Sequence, residues 1–340
     1  MESSVVIGVD THKESHSAAL VDAWGRIQKS TSVSANGRGY QQLLGWAARQ
    51  SPQRIWVIEG TGSYGAGLAS YLGQQGEVVF EGDRPRRPAR GASGKSDALD
   101  AIQVAREALA RSRHALPRCR GEREMMRILL SAREGAVHAH TQGVNQLQAL
   151  VTTAPERLRG RLRDLRGEQL VKACLALRSG GDPETALTAA TLRSVARRLR
   201  GLSQEAATYE RQLTTLVQRV APRLLAEPGV GTLTGAQILV SWSHAGRLRS
   251  EAAFAALAGT TPIPASSGKV QRHRLNRFGD RRLNRALHTI VLSRSHWDSE
   301  TQAYIKRRTA EGMSGREIRR CLKRYLARRL FRLLESLDRT

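Results

Sequence analysis

The chain has 340 residues, enough for about two domains that each bury a core of their own. Its 55 Lys and Arg outnumber its 30 Asp and Glu, so the formal net charge is +25 at pH 7. This charge predicts a polyanionic partner, with nucleic acid as the first expectation. Because no apolar run approaches the roughly 20 residues of a membrane span, we expect no membrane partner and a cytoplasmic location.

The cysteine and aromatic contents narrow the chemistry further. Cys119, Cys174 and Cys321 are odd in number and far apart, which argues against both a disulfide framework and a zinc site. Aromatic residues make up only 4% of the chain, which argues against recognition of single-stranded bases by stacking. We expect contacts with the charged backbone to dominate instead.

The first third of the chain has the pattern of an α/β domain. Short β-leaning runs predict strands at 5–10, 17–22, 29–34, 55–59 and 77–81. Helices are predicted from Asn36 to about residue 49, after Tyr64, and from Ser96 to about Arg111. The resulting order, β-β-β-α-β-α-β-α, is the order that an RNase H-like domain requires, whereas a dinucleotide-binding fold places a helix directly after its first strand. We therefore predict an RNase H-like domain over residues 1–115.

A basic segment separates the last predicted strand and helix of this domain. Residues 83–95, DRPRRPARGASGK, carry five basic side chains and one acid. They predict a positively charged loop in which Arg84, Arg86 and Arg87 contact nucleic acid, with a solvated linker as the alternative.

Residues 116–222 predict an α-helical spacer with a coiled-coil arm. Within it, apolar residues at alternating steps of four and three mark an a/d seam of nearly four heptads. The seam consists of Val195, Leu199, Leu202, Ala206, Tyr209, Leu213, Leu216 and Val220. The arm would join protomers, although an intramolecular hairpin with a helix over 121–153 would produce the same pattern.

Residues 223–340 predict a mainly α-helical domain with basic surfaces. In PGVGTLTGAQILV, at 228–240, two glycines before an apolar helix could present backbone N–H groups to a phosphate, or could form an ordinary turn. Between 269 and 285, seven Lys and Arg accompany one Asp and predict a phosphate-binding face. Its predicted contact residues are Lys269, Arg272, Arg274, Arg277, Arg281 and Arg282. The tail from 301 is a second basic surface or a solvated amphipathic helix.

Four acidic residues carry the predicted chemistry. Asp10 ends the first strand, Glu59 ends the fourth, and Asp97 and Asp100 lie three apart on one face of a helix. These carboxylates can converge at one sheet edge, where they would repel one another unless divalent cations neutralised them. All-oxygen ligands suit Mg²⁺ or Mn²⁺, and we expect two such ions. Taken singly, Asp10 could close a turn, and Asp97 and Asp100 could offset a helix dipole.

The chain resembles the DEDD transposases named after insertion sequence 110, a bacterial family that includes the Piv-type DNA invertases. The resemblance covers nearly the whole chain, and two separated groups of motifs occur in the same order. The matching stretches are VVIGVDTHKESHSAAL, VIEGTGSYG, KSDALDA, EPGVGTLTGAQILV, AAFAALAGTTPIPASSGK and LNRFGDRRLNRAL.

The resemblance implies a function and a set of site residues. Asp10, Glu59, Asp97 and Asp100 match the family's catalytic metal-binding quartet, in a domain similar to RuvC resolvase. Ser267 matches a serine nucleophile, although the doublet Ser266-Ser267 leaves the register open. The resemblance further implies double-stranded donor and target DNA, a structured guide RNA encoded by the element, homodimers or homotetramers, and a nucleoid-associated location.

Three alternatives remain from the sequence. GTGSYG, at 60–65, is a G-x-G-x-x-G motif with Glu81 about twenty residues further on, as in a nicotinamide-binding site, but Glu59 would face the pyrophosphate. ARGASGKS, at 89–96, resembles a degenerate phosphate loop, but RPRRP separates it from the preceding strand. A non-catalytic DNA- or RNA-binding protein would also account for the charge.

Overall fold

The computed structural model describes residues 5–82, 97–111, 114–178, 180–265 and 273–337. The chain divides into two compact units, an α/β unit of Met1–Arg120 with Ser243–Arg249 and a helical unit of Gly121–Trp242 with Ser250–Thr340. The expectation of a mixed α/β region followed by a helical one is confirmed. The boundary at 222/223, between a spacer and a separate C-terminal domain, stays a prediction.

The α/β unit contains the elements in the order that the sequence predicts. Its strands are Val5–Thr11 (β1), Ser15–Val21 (β2), Ile27–Ser34 (β3), Arg54–Glu59 (β4) and Val79–Gly82 (β5). Its helices are Gly37–Ala48 (α1), Ala66–Gln74 (α2) and Asp97–Leu109 (α3). Asn36 caps α1 as expected, because its side chain accepts a hydrogen bond from the backbone N–H of Gly39 at 3.0 Å.

The strands form one sheet in the order β3-β2-β1-β4-β5. The first three strands are antiparallel neighbours, as strands joined by short turns must be, whereas β4 and β5 run parallel to β1 after crossover helices. Ile7 and Val9 face a core that includes Leu43 of α1 and Leu68 of α2. The residues that alternate with these along the strands point to the opposite face and pack on α3. Helices α1 and α2 therefore cover one face of the sheet, and α3 covers the other.

A short segment from late in the chain completes the α/β unit. Arg247, whose side chain is 8% exposed, forms an ion pair with Glu81 of β5 at 3.3 Å. The hydroxyl of Ser243 accepts a hydrogen bond from the backbone N–H of Cys119 at 3.0 Å. Residues 243–249 therefore belong to this unit, which the sequence did not predict.

The helical unit contains helices of very different lengths. They are Glu122–Thr152 (α4), Glu156–Leu162 (α5), Gly167–Leu175 (α6), Pro183–Val220 (α7), Pro222–Leu225 (α8), Thr232–Trp242 (α9), Glu251–Leu257 (α10), Arg281–Trp297 (α11), Ser299–Ala310 (α12) and Gly315–Glu335 (α13). A two-stranded antiparallel ladder of Ile263–Pro264 (β6) and His273–Arg274 (β7) was not predicted. No helix among the described residues combines the length and the apolar character that a bilayer crossing needs.

The heptad seam of α7 packs against α4 of the same chain. Leu199 and Leu213 of the seam are fully buried. A Cβ atom at Gly143 of α4 would lie 2.7 Å from Cδ2 of Leu199, so only a glycine permits this close approach. The structure thus contains the intramolecular hairpin, and a further role of the arm in joining protomers stays a prediction.

Candidate metal centre

Two of the predicted acids lie at the ends of neighbouring parallel strands. Val9 of β1 pairs with Ile58 of β4. Asp10 and Glu59 are the next residues on these two strands. Because side chains alternate along a strand, Asp10 and Glu59 share the face that α3 covers. Their carboxylates therefore point toward the helix that carries the other two acids.

Gly8 determines how closely α3 approaches this edge. A Cβ atom at Gly8 would lie 2.2 Å from the carbonyl oxygen of Ala101 and 2.6 Å from the backbone nitrogen of Ala105. No larger residue fits at this position unless the helix moves. The glycine therefore lets α3 lie directly on β1, which holds the acidic first turn of the helix beside Asp10.

Asp10, His12 and Asp97 form a group with the spacing of metal ligands. Nδ1 of His12 lies 3.4 Å from Oδ2 of Asp10 and 3.9 Å from Oδ2 of Asp97. One ligand atom from each of the three residues lies within 4.8 Å of the others. The Asp10 side chain is 8% exposed, whereas those of His12 and Asp97 are 51% and 53% exposed, so the group is closed by the sheet and open toward solvent.

The electrostatics of Asp10 suit a bound cation. Burial raises the pKa of Asp10 above its ordinary value, His12 opposes this shift, and the carboxylates of Glu59, Asp100 and Asp97 raise the pKa further. Oδ2 of Asp10 is buried and has no hydrogen-bond partner among the described residues. A buried hydrogen-bond acceptor without a partner destabilises the folded protein. A divalent cation would bind this oxygen and supply a compensating positive charge. The donor set therefore fits a divalent metal ion.

The other three predicted acids all lie close enough to affect the charge of Asp10, although Glu59 and Asp100 are not part of the group of Asp10, His12 and Asp97. Glu59, Asp97 and Asp100 each act on the charge of Asp10. The hydroxyl of Thr11 donates a hydrogen bond to the backbone carbonyl of Glu59 at 2.9 Å, which ties the ends of β1 and β4 together. The role of the four carboxylates as catalytic ligands stays a prediction.

His12 is the member of the group that the sequence interpretation missed. It lies two residues after Asp10 in DTH, one residue beyond the end of β1. Its position close to Asp10 in the sequence was the signal available, since a histidine beside a predicted metal-binding acid is a candidate ligand.

The GTGSYG segment forms a tight turn between β4 and α2. Gly60 has a φ of +67°, and the backbone N–H of Ser63 donates to its carbonyl at 2.8 Å. A Cβ atom at Gly65 would lie 2.8 Å from the carbonyl oxygen of Glu59. The close return of the chain after β4 accounts for the glycines at 60 and 65 without a nucleotide.

The predicted nucleic-acid contacts are described only in part. Arg274, Arg277 and Arg281 are exposed. Arg282 is engaged within the helical unit, because its guanidinium lies 2.7 Å from the Glu134 carboxylate, which Arg285 also contacts. Arg84, Arg86, Arg87, Ser266, Ser267, Lys269 and Arg272 lie outside the described residues.

The fold and the site together define an α/β protein with a carboxylate cluster suited to a divalent cation, followed by a basic helical region. A family model described as Transposase, of the IS110 DEDD type, matches residues 7–154. A model of the Transposase IS116/IS110/IS902 family matches residues 221–306. The chain belongs to this transposase family, as its motifs predict.

One curated relative from this family shares part of the chain. It is the insertion element IS110 uncharacterized 43.6 kDa protein of Streptomyces coelicolor, and it is 29% identical over 122 residues. The aligned segment covers 35% of this chain and 30% of that protein, so the chain spans about a third of the length of the relative.

Proposed function

We propose that this transposase cleaves and rejoins DNA strands at the cluster of Asp10, Glu59, Asp97 and Asp100, with two Mg²⁺ or Mn²⁺ ions. The observation that carries the proposal is the buried Oδ2 of Asp10, which accepts no hydrogen bond among the described residues and lies near three further carboxylates. When bound, such ions stabilise the charge on the attacking and leaving oxygens of a phosphodiester.

The protein would contribute a rigid and partly open set of ligands. Asp10 is fixed in a central strand, and Asp97 and Asp100 lie in the first turn of a helix held against that strand at Gly8. The half-exposed carboxylate of Asp97 marks the side from which a DNA strand can approach. Ligands on regular elements keep their geometry better than ligands on loops.

We also propose an RNase H-like, and more narrowly RuvC-like, fold for this unit. Three antiparallel strands precede two strands parallel to the first, in the order β3-β2-β1-β4-β5. The acidic residues lie on the first strand, the fourth strand and the last helix of the unit. Family membership and this placement support the assignment.

Substitution of single carboxylates tests the metal site. We expect Asp10→Asn and Asp100→Asn each to abolish metal-dependent strand cleavage while DNA affinity and folding remain. Asp164→Asn is the matched control, because Asp164 is 87% exposed in the helical unit and its substitution changes the net charge equally. Cleavage that persists in EDTA, or in both site variants, would contradict the proposal.

We propose Ser267 as the nucleophile on the basis of the family motif. Its Oγ would attack a DNA phosphorus and lose its proton, while a P–O bond of the DNA breaks and leaves a hydroxyl end. Trapping in denaturant should yield a protein–DNA adduct that Ser267→Ala abolishes and Ser266→Ala retains. The reverse result would move the register by one residue, and strand exchange without any adduct would remove the serine mechanism.

We propose a structured guide RNA and a homodimeric or homotetrameric assembly on the same family basis. The purified protein should then carry a discrete RNA species. Ribonuclease should abolish sequence-specific recombination but leave bulk DNA binding. Full specificity without RNA would refute guidance, and a monomeric mass by light scattering of the active protein would refute the assembly.

The net charge of +25 also favours a second candidate, a non-catalytic nucleic-acid-binding protein. This candidate predicts the same binding but no strand cleavage by the wild-type protein in the presence of Mg²⁺ or Mn²⁺. The cleavage assay with Asp10→Asn as its blank separates the two.

A further inference from the structure

The helical unit contains a cavity of about 570 Å³, which we call the Lys323 cavity. Its walls come from residues 259–262, from residues 273–276, from α13, and from Arg308 and Met313. This volume lies in the range of sites that take nucleotide-sized ligands.

The charge of the lining is strongly positive. Its basic residues are Arg274, Arg308, Arg320, Lys323, Arg324 and Arg328, and Glu317 is the acid among its described residues. Three of the arginines have carboxylate partners: Arg308 pairs with Glu311, Arg328 with Glu251, and Arg320 with Glu317 at 3.8 Å. The pairs leave an excess of positive charge around the cavity.

Lys323 is the most unusual of these residues because it is only 8% exposed. Its ammonium group donates a hydrogen bond to the side-chain carbonyl of Asn284 at 2.9 Å, a neutral partner. Among the described residues, no carboxylate lies within ion-pair distance of it. Burial lowers the pKa of Lys323, and the nearby charges of Arg320 and Arg281 lower it further. A buried cation among other cations is destabilising unless an anion joins it.

The wall beside Lys323 is fixed by close backbone packing. A Cβ atom at Gly259, which lines the cavity and has a φ of +63°, would lie 2.5 Å from the carbonyl oxygen of Phe278. The side-chain amide of Asn284 donates to the carbonyl of Ala258 at 2.6 Å, so its carbonyl oxygen is held toward Lys323. The ammonium group is therefore positioned in advance and does not need to rearrange to meet a ligand.

We propose that the Lys323 cavity binds a phosphate group of a nucleic-acid strand. Lys323 supplies a charge at the wall, and Arg324, which has no carboxylate partner among the described residues, supplies a guanidinium group of the kind that binds phosphate in a bidentate manner. Tyr325, which is 55% exposed at the same cavity, offers a ring to an adjoining base. The identity of the ligand as nucleic acid rests on the proposed function, whereas anion binding by the cavity does not.

Thermal unfolding of the full chain in EDTA tests anion binding alone. Inorganic phosphate should raise the Tm above that in chloride of matched ionic strength for the wild type and not for Lys323→Met. Arg316→Met is the control, since Arg316 is exposed on the same helix and does not line the cavity. Without phosphate, Lys323→Met should unfold at the same or a higher temperature, because it removes a buried charge that has no counterion.

Equal phosphate shifts in all three proteins would overturn the proposal, because binding would then occur elsewhere on the surface. Should Lys323→Met not fold, Arg324→Gln should reduce the phosphate shift, and an unchanged shift in that variant would also overturn the proposal.

Oligonucleotides identify the source of the phosphate. The probes are single-stranded DNA, RNA of the same sequence and duplex DNA. Lys323→Met should weaken the binding of at least one of them by about ten- to a hundredfold, because a hydrogen bond to a charged group is lost. Arg316→Met should not. The affected oligonucleotide is the ligand, and no affected oligonucleotide would overturn the nucleic-acid assignment.

A final comparison separates this proposal from the proposed function. Asp10→Asn should lose cleavage yet keep the full Lys323-dependent phosphate shift. If the wild type never cleaves DNA but shows this shift, the catalytic proposal fails and the cavity proposal stands. If the wild type cleaves DNA without such a shift, only the cavity proposal fails.

Discussion

Asp10 and Lys323 are buried charges with opposite requirements. Three carboxylates near Asp10 and two guanidinium groups near Lys323 increase the cost of burying each charge, and at Asp10 only His12 opposes this effect. A ligand of opposite sign would stabilise each of them: a cation at Asp10 and an anion at Lys323. Residues of this kind indicate ligands more specifically than exposed charges do, because exposed charges are solvated by water.

His12 should influence which metal ion the cluster prefers. An imidazole ligand favours transition-metal ions over Mg²⁺, which prefers oxygen. We expect His12→Gln to weaken Mn²⁺ binding about tenfold or more, and to weaken Mg²⁺ binding less. Calorimetric titration of the metal-free protein measures both affinities, with the exposed His296→Gln as control. An equal loss for the two ions would contradict the selectivity, and no loss for either ion would show that His12 does not bind the metal.

His16 should make folding sensitive to mild acid. Its side chain is fully buried, Nε2 has no hydrogen-bond partner among the described residues, and the ring stacks on Tyr40 at 5.7 Å. Burial lowers the pKa of His16 below 6.5; the Ser15 carbonyl opposes this shift and the charge of His12 adds to it. Between the two pKa values the unfolded chain therefore binds more protons than the folded one. The contribution of neutral, buried His16 to the free energy of unfolding is fully present above pH 6.5 and is lost as the pH falls through the lower pKa of the folded state.

His16→Phe should keep the stacking on Tyr40 and remove this pH dependence. Denaturant unfolding at pH 7.5 and pH 5 should show a smaller loss of free energy of unfolding in the variant than in the wild type. His296→Phe, at an exposed position, should retain the wild-type difference.

At the scale of elements, the order of strands and helices in the α/β unit was predictable because each element carries its own local pattern. The close approach of α3 to β1 was not, since the need for glycine at position 8 depends on which helix covers that face. The partner of the α7 seam was also undetermined, because a heptad pattern specifies an apolar stripe and not the chain that covers it. Lys323 and Asn284 are 39 residues apart and meet only through the packing of α11 and α13.

Gly8→Ala should displace α3 and impair the metal site. The added methyl group would overlap backbone atoms of α3, and overpacking of this kind costs about 1–3 kcal/mol. Gly73→Ala in α2 is the control, and we expect it to stabilise the protein. Its Cβ would meet no atom within 4 Å, and the better helix propensity of alanine should raise the free energy of unfolding by about 1 kcal/mol. Thermal unfolding and Mn²⁺ titration test both, and unchanged Mn²⁺ affinity in Gly8→Ala would contradict the positioning role.

Leu199→Ala should destabilise the hairpin of α4 and α7 by about 2–5 kcal/mol, as other buried leucines do. Leu187→Ala, at a position 70% exposed on the same helix, should change stability by less than about 0.5 kcal/mol. Because Leu199 is fully buried within its own chain, the mass measured by light scattering should stay the same in both variants. A lower mass with full helicity in Leu199→Ala would mean that the seam joins protomers.

At the scale of the whole molecule, a strongly basic chain contains one described site built from acidic residues. The net charge of +25 predicted a polyanionic partner, and the spacing of the four acids predicted where they would meet. The net charge did not predict which Lys and Arg side chains face the ligand, because several of them form ion pairs with Asp or Glu of the same chain. Arg282 and Arg285 share Glu134, whereas Arg277 and Arg281 form no ion pair among the described residues.

This difference predicts how binding depends on salt. Each phosphate neutralised on duplex DNA releases condensed counterions, so log affinity should fall with log salt by about 0.9 per contact. Arg277→Gln or Arg281→Gln should each lower this slope by about 0.9 if the residue contacts one phosphate. Arg285→Gln should leave the slope nearly unchanged and instead reduce the free energy of unfolding, because Glu134 loses a partner that lowers its pKa. Fluorescence anisotropy over a range of salt concentrations measures the slopes, and equal slopes in all variants would show that this part of the surface does not face the DNA.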